Sequence, residues 1–169
     1  MKKITLFCIV FVLIISATSC KTADNKSVYN DFISKLKTNQ PDIHYSLKDI
    51  DGNGIEDLVV INNTTLTIYT FNDKISYIGE HDFLTGTARF FYSDDKDFPG
   101  IFVFTASGGM NHFGYMTIKN DEVYLEEIWN EDYSGISDTN NKIIEISDNK
   151  KIIKESKKLY EDNKDIVLY

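Results

Sequence analysis

From Val28 to Leu36 the chain reads VYNDFISKL, with apolar residues at 28, 29, 32, 33 and 36, the spacing of one helical face. This predicts an amphipathic helix over residues 28–38 that ends before Pro41, since the residue ahead of a proline is steered out of the helical region. From Tyr45 onward the pattern changes to short β-branched and aromatic runs. DLVVI, TLTIYTF, KISYIGEHDF, ARFFYS, GIFVFTA, FGYMTIK, EVYLEEIW, KIIEIS and KIIKES each suit a strand. FNDK at 71–74, KNDE at 119–122 and SDNK at 147–150 predict hairpin turns, because Asn and Asp tolerate the left-handed backbone that tight turns need. Near the C-terminus KESKKLYEDN suits a second helix and DIVLY an edge strand.

The strands repeat. Placing Asp51 on Asp95 sets Leu58-Val59-Val60 on Phe102-Val103-Phe104, an offset of 44, whereas Asn72-Asp73 falls on Asn120-Asp121 at an offset of 48. The second copy is therefore longer by four residues, an excess placed in the stretch SGGMNH, 107–112. Two blade-like repeats, 45–83 and 89–132, are close to the ~40–50-residue length of a propeller blade, and a partial third covers 142–169. They are too few to close a propeller, which needs about four or more blades. The expected fold is mainly β, an antiparallel meander of two to three blade-like repeats, open or sandwich-like and not a closed propeller. The N-terminal helix and the repeats form one domain, residues 28–169.

The first 19 residues belong to another process. Lys2 and Lys3 precede the apolar run Ile4–Ile15, short for a membrane span (~20 residues) but suited to the core of a secretory signal. The run is followed by Ala17-Thr18-Ser19-Cys20, which resembles the cleavage box of bacterial lipoproteins, with Ala17 where that family usually has leucine. The resemblance implies that residues 1–19 are a lipoprotein signal peptide and that Cys20 is lipidated and becomes the N-terminus. Residues 21–27 would then be a polar tether, and the protein exported and held at the cell envelope by its acyl chains. Of the two cysteines, Cys8 lies in the signal and Cys20 would carry the lipid, so no disulfide is expected in the mature chain.

The formal net charge is −8; loss of Lys2 and Lys3, with no acidic residue in the first 19, takes it to about −10. So acidic a chain lacks the basic footprint that nucleic acid requires, and binding to anionic head groups is disfavoured for the same reason.

Candidate chemistry centres on DIDGNGIEDLVV, 49–60. Calcium takes about six to eight hard oxygens, which a tight loop supplies from alternate residues. Asp49, Asp51, Asn53 and Asp57 offer side-chain oxygens at loop positions 1, 3, 5 and 9, Ile55 its carbonyl at position 7, and Gly54 permits the turn at position 6. Position 12 is Val60, not the bidentate glutamate of an EF-hand, and the chain continues as a strand. The loop is similar to the D-x-D-x-x-G-x-x-D-L loop of FG-GAP repeats, the calcium-binding blades of integrin-type propellers and of many bacterial surface proteins. That resemblance implies one Ca2+ held by Asp49, Asp51, Asn53, Ile55 and Asp57, with Leu58 starting a buried strand. In the second copy Ser93, Asp95, Asp97, Pro99 and Ile101 take the equivalent places; two carboxylates are lost, and that loop is expected to be structural.

No catalytic residue is assigned. His44, His81 and His112 lack zinc-helix spacing, and Ser107 sits in TASGGMNHFG without a G-x-S-x-G elbow. Glu126, Glu127, Glu131 and Asp132 fit strand alternation and a following turn better than a glycosidase pair. Trp129 and Tyr133, beside acidic residues in IWNEDYSG, suit either a core strand or a face that stacks on sugars or anchors a protein. The expected function is a membrane-anchored, non-catalytic binding module for a protein or glycan, with one structural calcium. The alternative is an envelope hydrolase or hydrolase inhibitor using the Ser107–His112 loop.

Overall fold

The computed structural model describes residues 21–83, 87–93, 95–132 and 142–162. The expected signal peptide, Cys20, Tyr133 and the expected edge strand at 165–169 lie outside them. The chain divides into two units, Met1–Pro41 and Asp42–Tyr169.

In the first unit, helix α1 spans Lys21–Asn39. Its face carries Asn25, Tyr29 and Ile33, all buried, with Val28, Phe32 and Leu36 half-buried beside them. The expected periodicity is present, and the helix already includes residues 21–27, upstream of the expected start at Val28. Nothing in KTADNKS breaks a helix, and Asn25 continues the stripe of Tyr29 and Ile33 one turn upstream.

The second unit is mainly β. Strands β1 (His44–Lys48), β2 (Asp57–Asn62), β3 (Thr65–Asn72) and β4 (Lys74–Asp82) form one antiparallel sheet in chain order. Strands β5 (Thr87–Tyr92), β6 (Ile101–Ser107), β7 (Met110–Lys119), β8 (Glu122–Asp132) and β9 (Lys142–Glu145) form the other. The first four strands of each sheet are the two repeats, joined in the same up-and-down order. Asn120 and Asp121 take φ of 55° and 60°, and Asp73 takes 62°, the backbone expected of FNDK and KNDE.

The four extra residues of the second copy divide between two hairpins. Leu58 pairs with Tyr69 and Phe102 with Tyr115, so the hairpin holding SGGMNH is longer by two; the other two lie toward the β7–β8 turn. The expected partial repeat opens with strand β9 at Lys142. Strand β9 pairs with β8 as the fifth strand of the second sheet, and the chain turns at once into helix α2, Lys150–Asp162. The strand expected at KIIKES is the first half of this helix. Ile152, Ile153, Ser156 and Leu159 are buried on one face at helical spacing. SDNK, read as a hairpin, is its cap: Asn149 Oδ1 accepts from the amides of Lys151 (3.1 Å) and Ile152 (3.3 Å).

Two cores follow from the layering. Ile50, Val59, Ile61, Leu66, Ile68 and Phe83 of the first sheet and its loop meet Phe90, Ile101, Val103 and Met116 of the second. On the other face of the second sheet, Phe91, Phe102, Phe104, Phe113, Ile128 and Trp129 pack under Ile152, Ile153 and Leu159 of α2. Trp129 is therefore core and not a sugar platform. It is 2% exposed, lies 3.6 Å from Phe113 ring to ring, and donates Nε1–H to Ser156 Oγ at 2.8 Å.

Entry into β6 depends on Gly100. A Cβ there would lie 2.5 Å from the Met116 carbonyl oxygen and 2.5 Å from Tyr115 Cε2, and a backbone oxygen in a central strand cannot step aside. Gly100→Ala is expected to cost about 3 kcal/mol, read as a lower urea midpoint. An unchanged midpoint would mean that β6 and β7 are not so closely apposed.

Candidate metal centre

Lys48, the last residue of β1, pairs with Asp57, the first of β2, and the loop 49–56 must turn the chain between them. Gly52 and Gly54 do so at φ of 78° and 86°, where a side chain would be strained. Asp49 organises the turn: its Oδ1 accepts from the amides of Gly52 (2.8 Å) and Asn53 (3.1 Å), and its Oδ2 from Gly54 (2.8 Å). Asp51 accepts from the Asn53 amide at 3.0 Å and from Asn53 Nδ2 at 2.8 Å. Asn53 Oδ1 in turn accepts from the Ile55 amide at 2.7 Å.

The loop is also tied to the second sheet. Thr117 Oγ1 on β7 donates to the Ile50 carbonyl at 2.6 Å, and a Cβ on Gly52 would meet Pro99 Cγ at 3.1 Å. Neither contact was legible beforehand, because Thr117 and Pro99 reach the loop only through the stacking of the two sheets.

Asp49, Asp51 and Asp57 converge, each placing a carboxylate oxygen within 4.8 Å of the others. Asn53 joins them through its bonds to Asp51. Asp57 is the unusual member, with 0% exposure. Its Oδ2 accepts from the Ile50 amide at 3.1 Å, but its Oδ1 is buried without a hydrogen-bond partner. Burial pushes its pKa up to about 6, the Thr70 side chain and the Ile50 amide oppose the rise, and the charges of Asp51 and Asp49 add to it. Asp51 is also raised, first by burial; the Asn53 amide opposes this, and a bond and repulsion from Asp49 add to it. Gathered like charges with one acceptor unanswered make an arrangement that costs free energy unless a cation joins it. The donors are hard oxygens, the set suited to Ca2+, Mg2+ or Mn2+. The residues therefore fit a metal ion.

The second repeat shows how the same loop is built without converging carboxylates among the described residues. Tyr92 pairs with Ile101 as Lys48 pairs with Asp57, so Ile101 stands in the register position of Asp57 and is as fully buried. Phe98 replaces Gly54 and packs edge-on against Phe102 and Tyr115. Ser93, in the place of Asp49, donates to Glu155 Oε1 of α2 at 2.7 Å. Asp97 ends at Lys151, 3.5 Å away. The second repeat thus places an apolar side chain, Ile101, where the first places Asp57.

The other candidates are dispersed. Ser107 pairs with Met110 and His112 with Thr105; His112 Nδ1 lies 3.1 Å from Asn130 Oδ1, and no hydrogen bond links Ser107 to His112. Glu126 Oε1 accepts from Ser147 Oγ at 2.7 Å, and Glu131 Oε2 from Asn111 Nδ2 at 3.2 Å.

No protein-family model, curated protein or solved structure matches the chain.

Proposed function

We propose that the protein is an exported, lipid-anchored β-domain that holds one structural Ca2+ and serves as a non-catalytic binding module for a protein or glycan. Asp49, Asp51 and Asp57 supply the carboxylates, and Asn53 and the Ile55 carbonyl complete the protein's share of the shell. The observation that carries the metal reading is Asp57, buried with its Oδ1 unpartnered and with a carboxylate oxygen within 4.8 Å of one on Asp49 and one on Asp51. Calcium is favoured over magnesium because the donors sit on a short glycine-bearing loop, and a flexible shell suits the larger ion. The likeness of the loop to FG-GAP repeats supports the same choice. Export and anchoring rest on the signal-like run and on Cys20 in its lipoprotein-like box.

Bound calcium supplies charge neutralisation. The chain's own residues do the rest: Asp49 fixes the turn through three amides, and Thr117 and Pro99 hold the loop against the second sheet. Ordering the loop therefore also orders the contact between the sheets, on which a binding surface depends. Calcium titration followed by calorimetry and thermal unfolding tests this, beside the Asp51→Ala/Asp57→Ala double variant. One-to-one saturable binding that raises the melting temperature, by the equivalent of about 2.7 kcal/mol at a hundredfold excess over Kd, is expected for the wild type and not for the variant. No binding at millimolar calcium would refute the site.

A further inference from the structure

A second concave site lies between the sheets, away from the acidic loop. His81 and Phe83 come from the β4 side, Val103 and Thr105 from β6, His112, Phe113 and Gly114 from β7, and Leu125 and Glu127 from β8, around a cleft of about 160 Å3. Its floor is apolar and fixed. Phe83 and Val103 are buried in the core between the sheets, and Phe83 packs edge-on against Phe90. Its rim is polar and open: Thr105, His81 and His112 are half-buried and Glu127 is exposed.

These rim groups keep hydrogen-bonding capacity to spare, although the His81 ring packs on Phe83 at 4.5 Å between centroids. The side chains of Thr105, His81 and Glu127 make no hydrogen bond or ion pair among the described residues. His112 uses only Nδ1, toward Asn130; when that nitrogen carries the proton, Nε2 keeps its lone pair. The rim is accordingly rich in acceptors: two oxygens on Glu127, the His112 Nε2, and a hydroxyl and an imidazole that either donate or accept. The volume falls below the ~300 Å3 at which drug-sized pockets begin, so the occupant is small.

We propose that this cleft binds a single pyranose unit of a glycan, with the apolar C–H face on Phe83 and Val103 and adjacent hydroxyls on Glu127, His112 and Thr105. A neutral ring with one apolar face and a fringe of donors matches an apolar floor under an acceptor-rich rim. A cationic ligand is the weaker match. Only one carboxylate is present, it is solvent-exposed, and an exposed ion pair contributes ~1 kcal/mol or less. This deepens the glycan half of the proposed function and is independent of the calcium loop.

The test is an NMR titration of the purified protein with the methyl glycosides of glucose, galactose, mannose and N-acetylglucosamine, and with n-butylammonium as the cationic control. The series is run in calcium and again in chelator. The expected result is saturable shifts at Thr105, His112, Gly114 and Leu125 with at least one glycoside, weakened roughly tenfold in Glu127→Gln by loss of charge-assisted hydrogen bonds. Glu127 is exposed, so this variant keeps the fold. Three outcomes overturn the proposal: no saturation by any of the four glycosides, binding indifferent to Glu127→Gln, or saturation by n-butylammonium alone. The calcium reading is decided separately by the melting-temperature response, so either can fail without the other.

Discussion

An Asp57→Asn protein is expected to melt at a higher temperature than the wild type in chelator and at a lower one in millimolar calcium. The first half follows from the cost of the buried carboxylate. Holding Asp57 at a pKa of about 6, against an ordinary 3.8, means that its ionised form at neutral pH costs the metal-free fold about 3 kcal/mol. Asparagine has the same shape and keeps an oxygen for the Ile50 amide now bonded to Oδ2, but carries no charge to desolvate. The second half follows from the metal. The amide cannot supply the charge that balances calcium, so the variant forfeits most of a binding term worth about 4.1 kcal/mol at a thousandfold excess over Kd, which outweighs the ~3 kcal/mol that the charge costs. The two melting curves should therefore cross as calcium is added. A variant less stable than wild type in chelator would show that Asp57 stabilises the fold without a metal, and the metal reading would lose its main support. The second repeat sets the expectation, since Ile101 occupies the same register position without a charge.

What was legible in advance divides by the range of the interaction. The strands of both repeats and the offset between them were visible because alternation and Asn/Asp turns are local signals. So was the spacing that brings Asp49, Asp51 and Asp57 together, since a short loop fixes its own geometry. The helix at Lys150–Asp162 was half missed because KIIKES contains two β-branched residues in a row and scores as a strand. Only with Ser156 and Leu159 added does the helical stripe appear, and the deciding force is burial against the second sheet. The extension of α1 upstream of Val28 was missed because a polar stretch without glycine or proline is compatible with either helix or tether. The clamps on the loop, Thr117 and Pro99, are 67 and 47 residues from the backbone groups they meet, Ile50 and Gly52. No local pattern announces them. Nor does any announce the burial of Asp57, because DLVVI reads as a strand whose first residue is polar and therefore outside. The cleft at His81 and His112 was equally hidden, since its walls come from strands of different sheets.

The calcium response should depend on pH in a direction opposite to that of the metal-free protein. Without metal, Asp57 titrates at about 6 in the folded state and near 3.8 when unfolded. Between those values the folded chain holds the extra proton. This group's contribution to stability is fully present below about pH 3.8 and is lost as pH rises through about 6. Asp51 is displaced in the same direction. Calcium requires the ionised carboxylates, so at about pH 5 it must displace a proton from Asp57 before it binds, whereas at about pH 7.5 the site is already charged. The gap between melting temperatures with and without calcium is therefore expected to be wide at the higher pH and to close toward the lower one. Other carboxylates also titrate in this range; subtracting the Asp57→Asn melting curves at each pH removes their share, because they are common to both proteins. A calcium-induced shift of equal size at both pH values would mean that the ion binds elsewhere, on carboxylates that are already ionised at pH 5. If the shift instead closes with a midpoint near 6 and vanishes in the variant, the buried carboxylate and the metal ligand are the same group.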